Sequence, residues 1–274
     1  MRLKYKGGTS MVGIYLSGTG NTEHCLRKLV FGLDSAAEVI SIASADAAAA
    51  IAEHEEIFLA YPTQFSNIPY KVKDFIVSQK TLWKGKKVFC LTTMGLFSGD
   101  GTGCAARLLR KYGAVITGGL QILMPDSVCD SKLLKKPLEK NREIIAEADK
   151  KIDLAISEIK AGNYPKEGLS FPAHLAGLFG QRLWFRGKTK SYSRKLRISD
   201  ACVGCGLCAG KCPMVNIEIK NGRAVAGDRC TMCYSCISLC PKQAVTLLGK
   251  QVVEQYRFEK MSCSSFSASD FISH

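Results

Sequence analysis

The feature that most narrows what this chain can become lies between Cys202 and Pro241, where eight of its thirteen cysteines fall in two copies of one pattern. The first copy places Cys202, Cys205, Cys208 and Cys212 before Pro213; the second places Cys230, Cys233, Cys236 and Cys240 before Pro241. Both read C-x2-C-x2-C-x3-C-P, a spacing that holds a [4Fe–4S] cluster. Zinc is the rival occupant of cysteine sites, but two repeats of three thiols at i, i+3 and i+6 plus a Cys-Pro are better explained by cubane clusters. Each proline ends a short ligand-bearing segment and turns the chain away. Small residues nearby (Gly204, Gly206, Ala209 and Gly210) leave room for backbone N–H groups to point at sulfur.

A chain of 274 residues, 46% hydrophobic, has room for one large domain or two modest ones, each with a core. The longest weakly polar run, Gly113 to Pro125, falls short of the ~20 residues of a bilayer span, so no transmembrane segment is expected. The N-terminus is basic without an apolar run, which argues against secretion; residues 1–10 read either as an unstructured extension or as lying ahead of a natural start at Met11. Clustered cysteines in a chain of this length then indicate metal ligands in a cytoplasmic setting rather than disulfides.

The first 160 or so residues alternate strand-like and helix-like patterns. Apolar runs at 11–17, 38–42, 56–61, 87–92 and 115–124 are each followed by a helical segment, at 23–33, 46–53, 70–78, 105–111 and 138–159. Near-continuous apolar strands alternating with helices predict an α/β unit: a five-stranded parallel sheet covered on both faces, in the doubly wound order 2-1-3-4-5. Ligands of such sheets bind beyond the carboxyl ends of the strands, where strand order reverses, so the loops after strands one, three and four should converge. The first of these, Ser17-Gly18-Thr19-Gly20-Asn21-Thr22, offers hydroxyls, two glycines and a helix N-terminus. That chemistry suits phosphate oxygens, although a loop that merely caps its helix is the plainer alternative. It departs from G-x-G-x-x-G and lacks the lysine of the Walker loop, which argues against nucleoside triphosphate chemistry.

This loop resembles the phosphate loop of flavodoxins, Ser/Thr-x-Thr-Gly-x-Thr, at Ser17, Thr19, Gly20 and Thr22. The resemblance implies FMN, with its phosphate on this loop. It also implies an isoalloxazine flanked by Tyr61, Pro62, Thr63, Gln64 and Phe65 on one loop, and by Thr93, Met94, Gly95, Phe97, Ser98 and Gly99 on another. Tyr61, Phe65 and Phe97 are the stacking candidates, and neither loop contains Trp.

After the turn-rich break at Gly162 comes an apolar stretch, Phe171 to Phe185, that includes Trp184; Arg182 to Arg197 then holds seven basic residues and no acidic one. A solvated linker, a docking surface for an acidic redox partner and a membrane-surface helix are the competing readings. The whole chain resembles the flavodoxin–ferredoxin fusions of anaerobic bacteria and archaea. On that resemblance, residues 11–162 form a flavodoxin-like FMN domain, 163–197 a basic linker, 198–250 a small α+β bacterial-type two-[4Fe–4S] ferredoxin domain, and 251–274 a tail. The halves of the ferredoxin domain should be related by a pseudo-twofold, each with a short hairpin. In two-cluster ferredoxins the fourth cysteine of each run crosses to the other cluster. This pairs Cys240 with Cys202, Cys205 and Cys208, and Cys212 with Cys230, Cys233 and Cys236.

The formal charge is +14. Two oxidised clusters with their thiolates and a flavin phosphate would bring the holoprotein nearer to about +8, so nucleic acid is not indicated as a partner. The expected function is electron transfer between the two clusters and FMN, with redox partner proteins or a small-molecule acceptor at the ends. The tether would keep the centres near one another without requiring a tight interface. A flavin-dependent reductase and a redox-sensing module are the alternatives. Cys25, Cys90, Cys104 and Cys129 read as small core residues, Cys263 as a free exposed thiol, and His24 and His54 as structural. No Ser–His–Asp or paired-carboxylate site is evident.

Overall fold

The computed structural model describes residues 11–179, 183 and 188–261. Met1 to Ser10, Arg182, Trp184, Arg186 and Cys263 lie outside them. The first five apolar runs become β1 (Met11–Tyr15), β2 (Glu38–Ser41), β3 (Glu56–Pro62), β4 (Lys87–Met94) and β5 (Val115–Leu123). They form one all-parallel sheet in the order β2-β1-β3-β4-β5, the flavodoxin-like doubly wound topology. Successive side chains of a strand point to opposite faces, so β3 divides its residues between two cores. Phe58 and Ala60 pack under α1 (Asn21–Leu33) and α5 (Leu138–Lys160). Ile57, Leu59 and Tyr61 pack under α2 (Ala47–Glu53), α3 (Tyr70–Ser78) and α4 (Gly101–Lys111).

Residues 163–170, assigned on sequence to the linker, stay with the sheet. Gly119 on β5 donates to the Pro165 carbonyl (2.7 Å) and accepts from Glu167 N–H (2.8 Å), so this segment lines the sheet edge as a parallel bridge. Helix α6 (Phe171–Gly177) then closes on the buried Asp100 through His174 Nδ1, 2.9 Å from Oδ2. A further short helix, α7 (Lys188–Ser193), leads into the cysteine-rich unit.

That unit carries two short helices, α8 (Leu207–Gly210) and α9 (Ser235–Leu239), one on each cysteine run. Strands β7 (Ile217–Lys220) and β8 (Arg223–Ala226) form the hairpin expected between the runs. Its turn, Asn221-Gly222, has φ of 50° and 72°, the left-handed pair that a type I′ turn demands. The second half differs from expectation: β9 (Val245–Thr246) pairs antiparallel with β6 (Arg197–Ile198), which precedes the first run. The last strand thus closes the unit by reaching back rather than by folding on a neighbour.

The two units are not merely tethered. The core beneath α1 and α5 continues through Cys129 into Tyr234, Ile237, Leu247 and Tyr256. Residues 251–261, read as the start of a polar tail, strap across the junction. Cys129 O accepts from Val253 N–H (2.9 Å), Thr19 O accepts from Phe258 N–H (2.9 Å), and Tyr256 donates its hydroxyl to Asn21 Oδ1 (2.6 Å). At the centre is Asp130, 4% exposed. Its Oδ1 accepts from the Tyr234 hydroxyl (3.0 Å), and its Oδ2 accepts from the N–H groups of Leu247 (2.6 Å) and Leu248 (2.9 Å). A buried carboxylate is tolerated only when its lone pairs are met in this way.

Asp130→Ala would strand two buried donors, the Tyr234 hydroxyl and Leu247 N–H, and the half-buried Leu248 N–H, at ~1–3 kcal/mol for each buried one. We expect it to lower stability by about 3 kcal/mol or more, and to speed proteolytic cleavage between the units. Asp130→Asn, which keeps one acceptor, should lie between the two. Anaerobic thermal unfolding and timed proteolysis measure both; wild-type behaviour of Asp130→Ala would refute the assignment.

Candidate redox site

The eight cysteines of the motif ring two separate small voids. One is lined by Cys202, Cys205, Cys208 and Cys240, the other by Cys212, Cys230, Cys233 and Cys236. The fourth thiol of each run therefore lies with the first three of the other. Among the described residues no three His, Cys, Asp or Glu side chains are grouped as a single metal ion would require. A tetrahedral zinc needs four sulfurs about 2.3 Å from one point, whereas thiols spread around a void suit a cluster. Backbone N–H groups point at sulfur in a repeating way: Asn216 to Cys212 Sγ and Ala244 to Cys240 Sγ, each at 3.3 Å and each four residues on. Met232 does the same for Cys230 (3.3 Å), and Ala224 for Cys202 (3.4 Å). Such bonds orient thiolates and tune a metal site.

The voids differ in environment. N–H groups of Ala224 and Gly204 hold the Cys202 thiol below its ordinary range. Burial instead pushes up the thiols of Cys208 in the same void and of Cys230 and Cys236 in the second, and that of Cys233 up to about 12.

A third, larger cavity of about 270 Å³ opens beyond the carboxyl ends of β1, β3 and β4. Of the residues expected there, Ser17, Gly18, Thr19, Asn21, Thr22, Pro62, Thr63, Gln64, Phe65, Thr93, Met94, Gly95 and Phe97 line it. Four do not. Gly20 caps α1 at φ 98° and gives its N–H to Ser17 Oγ (3.1 Å). Tyr61 is fully buried with its hydroxyl on Gly101 O (2.6 Å), because its position on β3 faces α3 and α4 rather than the cavity. Ser98 and Gly99 are drawn into the turn that starts α4, where Gly99 packs on Gly177. Phe65 and Phe97 remain as aromatic walls.

The cavity suits a flat, phosphorylated ring system on its chemistry alone. The first-turn N–H groups of α1 have no partner within the helix, as at any helix start, and they adjoin the hydroxyls of Ser17 and Thr19. Thr22 Oγ1 lies 2.7 Å from Thr93 Oγ1, tying the first loop to the third. Gln64 Nε2 donates to the Thr231 carbonyl, which leaves Oε1 a buried acceptor without a protein donor. A ring N–H would satisfy it.

Several lining residues were not foreseen. Met124, Pro125, Asp126, Ser127 and Val128 come from the loop after β5, and Met232, Cys233, Tyr234 and Leu248 from the cysteine-rich unit. Asp126 is the one carboxylate among the described lining residues; burial raises its pKa, opposed by its bond from Val128 N–H and by Lys135 and Lys136. Cys233 and Tyr234 line this cavity and also the second thiol void, so they are the partition between them. Gly18 packs directly on this partition, where a Cβ would collide with the Cys233 carbonyl oxygen.

Fold and site together define an electron-transfer protein in which a flavodoxin-like sheet unit is joined to a dicluster iron–sulfur unit. Residues 194–241 match the family model for the 4Fe-4S dicluster domain. A ferredoxin of Methanothermococcus thermolithotrophicus is 38% identical over 52 residues, which is 18% of this chain and 87% of that protein. A ferredoxin of Pyrobaculum islandicum is 30% identical over 77 residues, 25% of this chain and 72% of the relative. Through this segment the chain belongs to the ferredoxin family, and its clusters are two [4Fe–4S] centres. Solved structures similar to the sheet unit include a flavodoxin from the domain Archaea (19% identity, 55% of this chain and 98% of that one, TM-score 0.40). Megasphaera elsdenii flavodoxin is another (22%, 54% and 98%, TM-score 0.40).

Gly18→Ala should disturb both sides of the partition at once. We expect weaker retention of the cavity's ligand and an altered paramagnetic signal from one reduced cluster, with the other unchanged. Leu154→Ala, at a side chain of α5 that is 67% exposed and lines neither site, is the control. An alanine at position 18 that leaves both signals untouched would show that the partition is not closed in solution.

Proposed function

We propose that this protein passes electrons between its two [4Fe–4S] clusters and an FMN, and so couples one-electron to two-electron redox partners. Cys202, Cys205, Cys208 and Cys240 hold one cluster; Cys212, Cys230, Cys233 and Cys236 hold the other. Residues of the 17–22 loop take the phosphate, and Gln64, Phe65, Met94 and Phe97 frame the ring. The flavin, when bound, supplies a centre that stores one or two electrons. The observation that carries this reading is the shared wall: Cys233 and Tyr234 line both the second thiol void and the flavin cavity. The second cluster is then the flavin's neighbour and the first is its relay.

Within this arrangement the chain's own residues do three things. Gly18 lets the phosphate loop and the cluster loop touch. Asp130, through the Tyr234 hydroxyl, holds the partition in place. The strap residue Phe258 stacks on His24 (centroids 4.1 Å apart) and bonds Thr19, fixing the loop from outside.

Protein purified without oxygen should contain about eight iron per chain and FMN. Thr19→Ala combined with Thr22→Ala should weaken flavin retention and leave cluster absorbance intact. Zinc-loaded or colourless protein would refute the reading, and equal loss of both signals would indicate misfolding instead.

One observation favours a second reading, reduction of a small molecule at the flavin. Leu96 (70% exposed) and Phe97 (44% exposed) line the cavity together with Asp126, leaving an apolar way in beside an acid. A carboxyl whose pKa is raised keeps its proton to higher pH, so proton delivery by Asp126 would persist above the usual carboxylate range and fade as pH rises through the raised value. Under this reading, turnover of a quinone should fall with rising pH in the wild type. In Asp126→Asn it should be lower at least tenfold and lose that pH dependence. A variant with the wild-type profile would rule Asp126 out.

A further inference from the structure

The two clusters are set in unlike surroundings. Around the second, Cys230 and Cys236 are buried, Cys233 faces the flavin cavity, and the Gln255 side chain covers the ends of α9 by donating to the carbonyls of Ile237 and Cys240. Around the first, Cys205 is exposed. Beside it Val203 (59% exposed) and Leu207 (48% exposed) line the same void and present apolar surface outward. Lys242 lines that void as well and is exposed. Lys211, also exposed, follows Leu207 by one helical turn and bonds its carbonyl (3.1 Å). Among the described residues no acidic side chain lines the void.

Resting on the electron-transfer reading above, we propose that the Cys205 face is the port at which an acidic one-electron carrier protein docks. The patch has the make-up of a transient redox interface, a small apolar centre with a charged rim. Val203 and Leu207 exclude water over the cluster, while Lys211 and Lys242 steer a partner whose own redox centre is ringed by carboxylates. One electron crosses per encounter: the carrier is oxidised as the outer cluster is reduced, or the reverse, and no atom is transferred. The flavin cavity lies behind the second cluster and takes no part in docking.

Stopped-flow exchange between the anaerobic holoprotein and an acidic plant-type [2Fe–2S] ferredoxin tests this. It is run in both directions, so that one of them is downhill whatever the potentials. Lys242→Glu should lower the second-order rate constant about five- to tenfold at low ionic strength and flatten its salt dependence. Leu207→Asp should slow exchange at high salt too. Lys111→Glu, at the far end of α4, should behave as wild type. Reduction of every variant by dithionite, with iron content unchanged, shows that the clusters are intact; if Lys242→Glu loses iron, Lys242→Gln carries the test with a smaller effect in the same direction. Wild-type rates in Lys242→Glu and Leu207→Asp would overturn the proposal, as would slowing by Lys135→Glu beside the flavin cavity instead. Protein without iron would defeat the underlying function, a result separable from either.

Discussion

A single buried carboxylate sits at the centre of the joint between the two units. Asp130 follows the fifth strand of the sheet unit and accepts three hydrogen bonds from the cysteine-rich unit. Each bond alone contributes about 1 kcal/mol, rising to ~1.5–3 kcal/mol when the acceptor is charged. Their joint effect is geometric as well as energetic. Two of the donors are the backbone N–H groups that follow β9, and the third is the hydroxyl of Tyr234, next to cluster cysteine Cys233 in the chain. Fixing Asp130 therefore fixes where Cys233 meets Gly18 of the 17–22 loop.

That fixed contact changes what the connection between the units does. A flexible tether raises the encounter frequency of two redox centres but leaves their separation variable. Here the 251–261 strap, the Asp130 bonds and a shared apolar core set one separation, and only Cys233 and Tyr234 stand between the second void and the cavity among the described lining residues. Tyr234 adopts φ 62° and Met232 φ 55°, left-handed conformations that are uncommon outside glycine. Such backbone persists where its surroundings over-determine it. In this loop the over-determination comes from Asp130 on one side and thiol-directed N–H groups on the other.

Legibility in the sequence tracked the range of the interactions involved. The cluster cysteines could be read because their spacing is local. The sheet order followed from the alternation of apolar strands and amphipathic helices, with boundaries within a few residues of those observed. The 17–22 loop was visible as the turn between the first strand and its helix for the same reason. Tyr61 was misjudged because its loop position suggested the cavity, while the two-residue period of β3 turns it into the core. Asp126 and Asp130 gave no signal: each is one acidic residue in a polar loop, and Asp130 meets Tyr234 across 104 positions. The 163–170 edge and the 251–261 strap look polar and turn-rich, yet their backbone groups make the contacts, and composition carries no information about those.

The cysteines of the two voids sit in unlike surroundings. Burial raises the thiols of Cys230, Cys233 and Cys236 at the second and that of Cys208 at the first, while N–H groups hold Cys202 of the first below its ordinary range. The wall of the larger cavity differs again. Among the described residues that line it there is one carboxylate, Asp126, and no lysine, arginine or histidine. A redox-active ring bound there would gain negative charge without a cationic side chain among those residues, which favours taking up a proton with the electron over remaining anionic. Under the proposed function, proton-linked chemistry would belong to this cavity and charge-only transfer to the clusters, with Cys233 and Tyr234 in the wall that lines both.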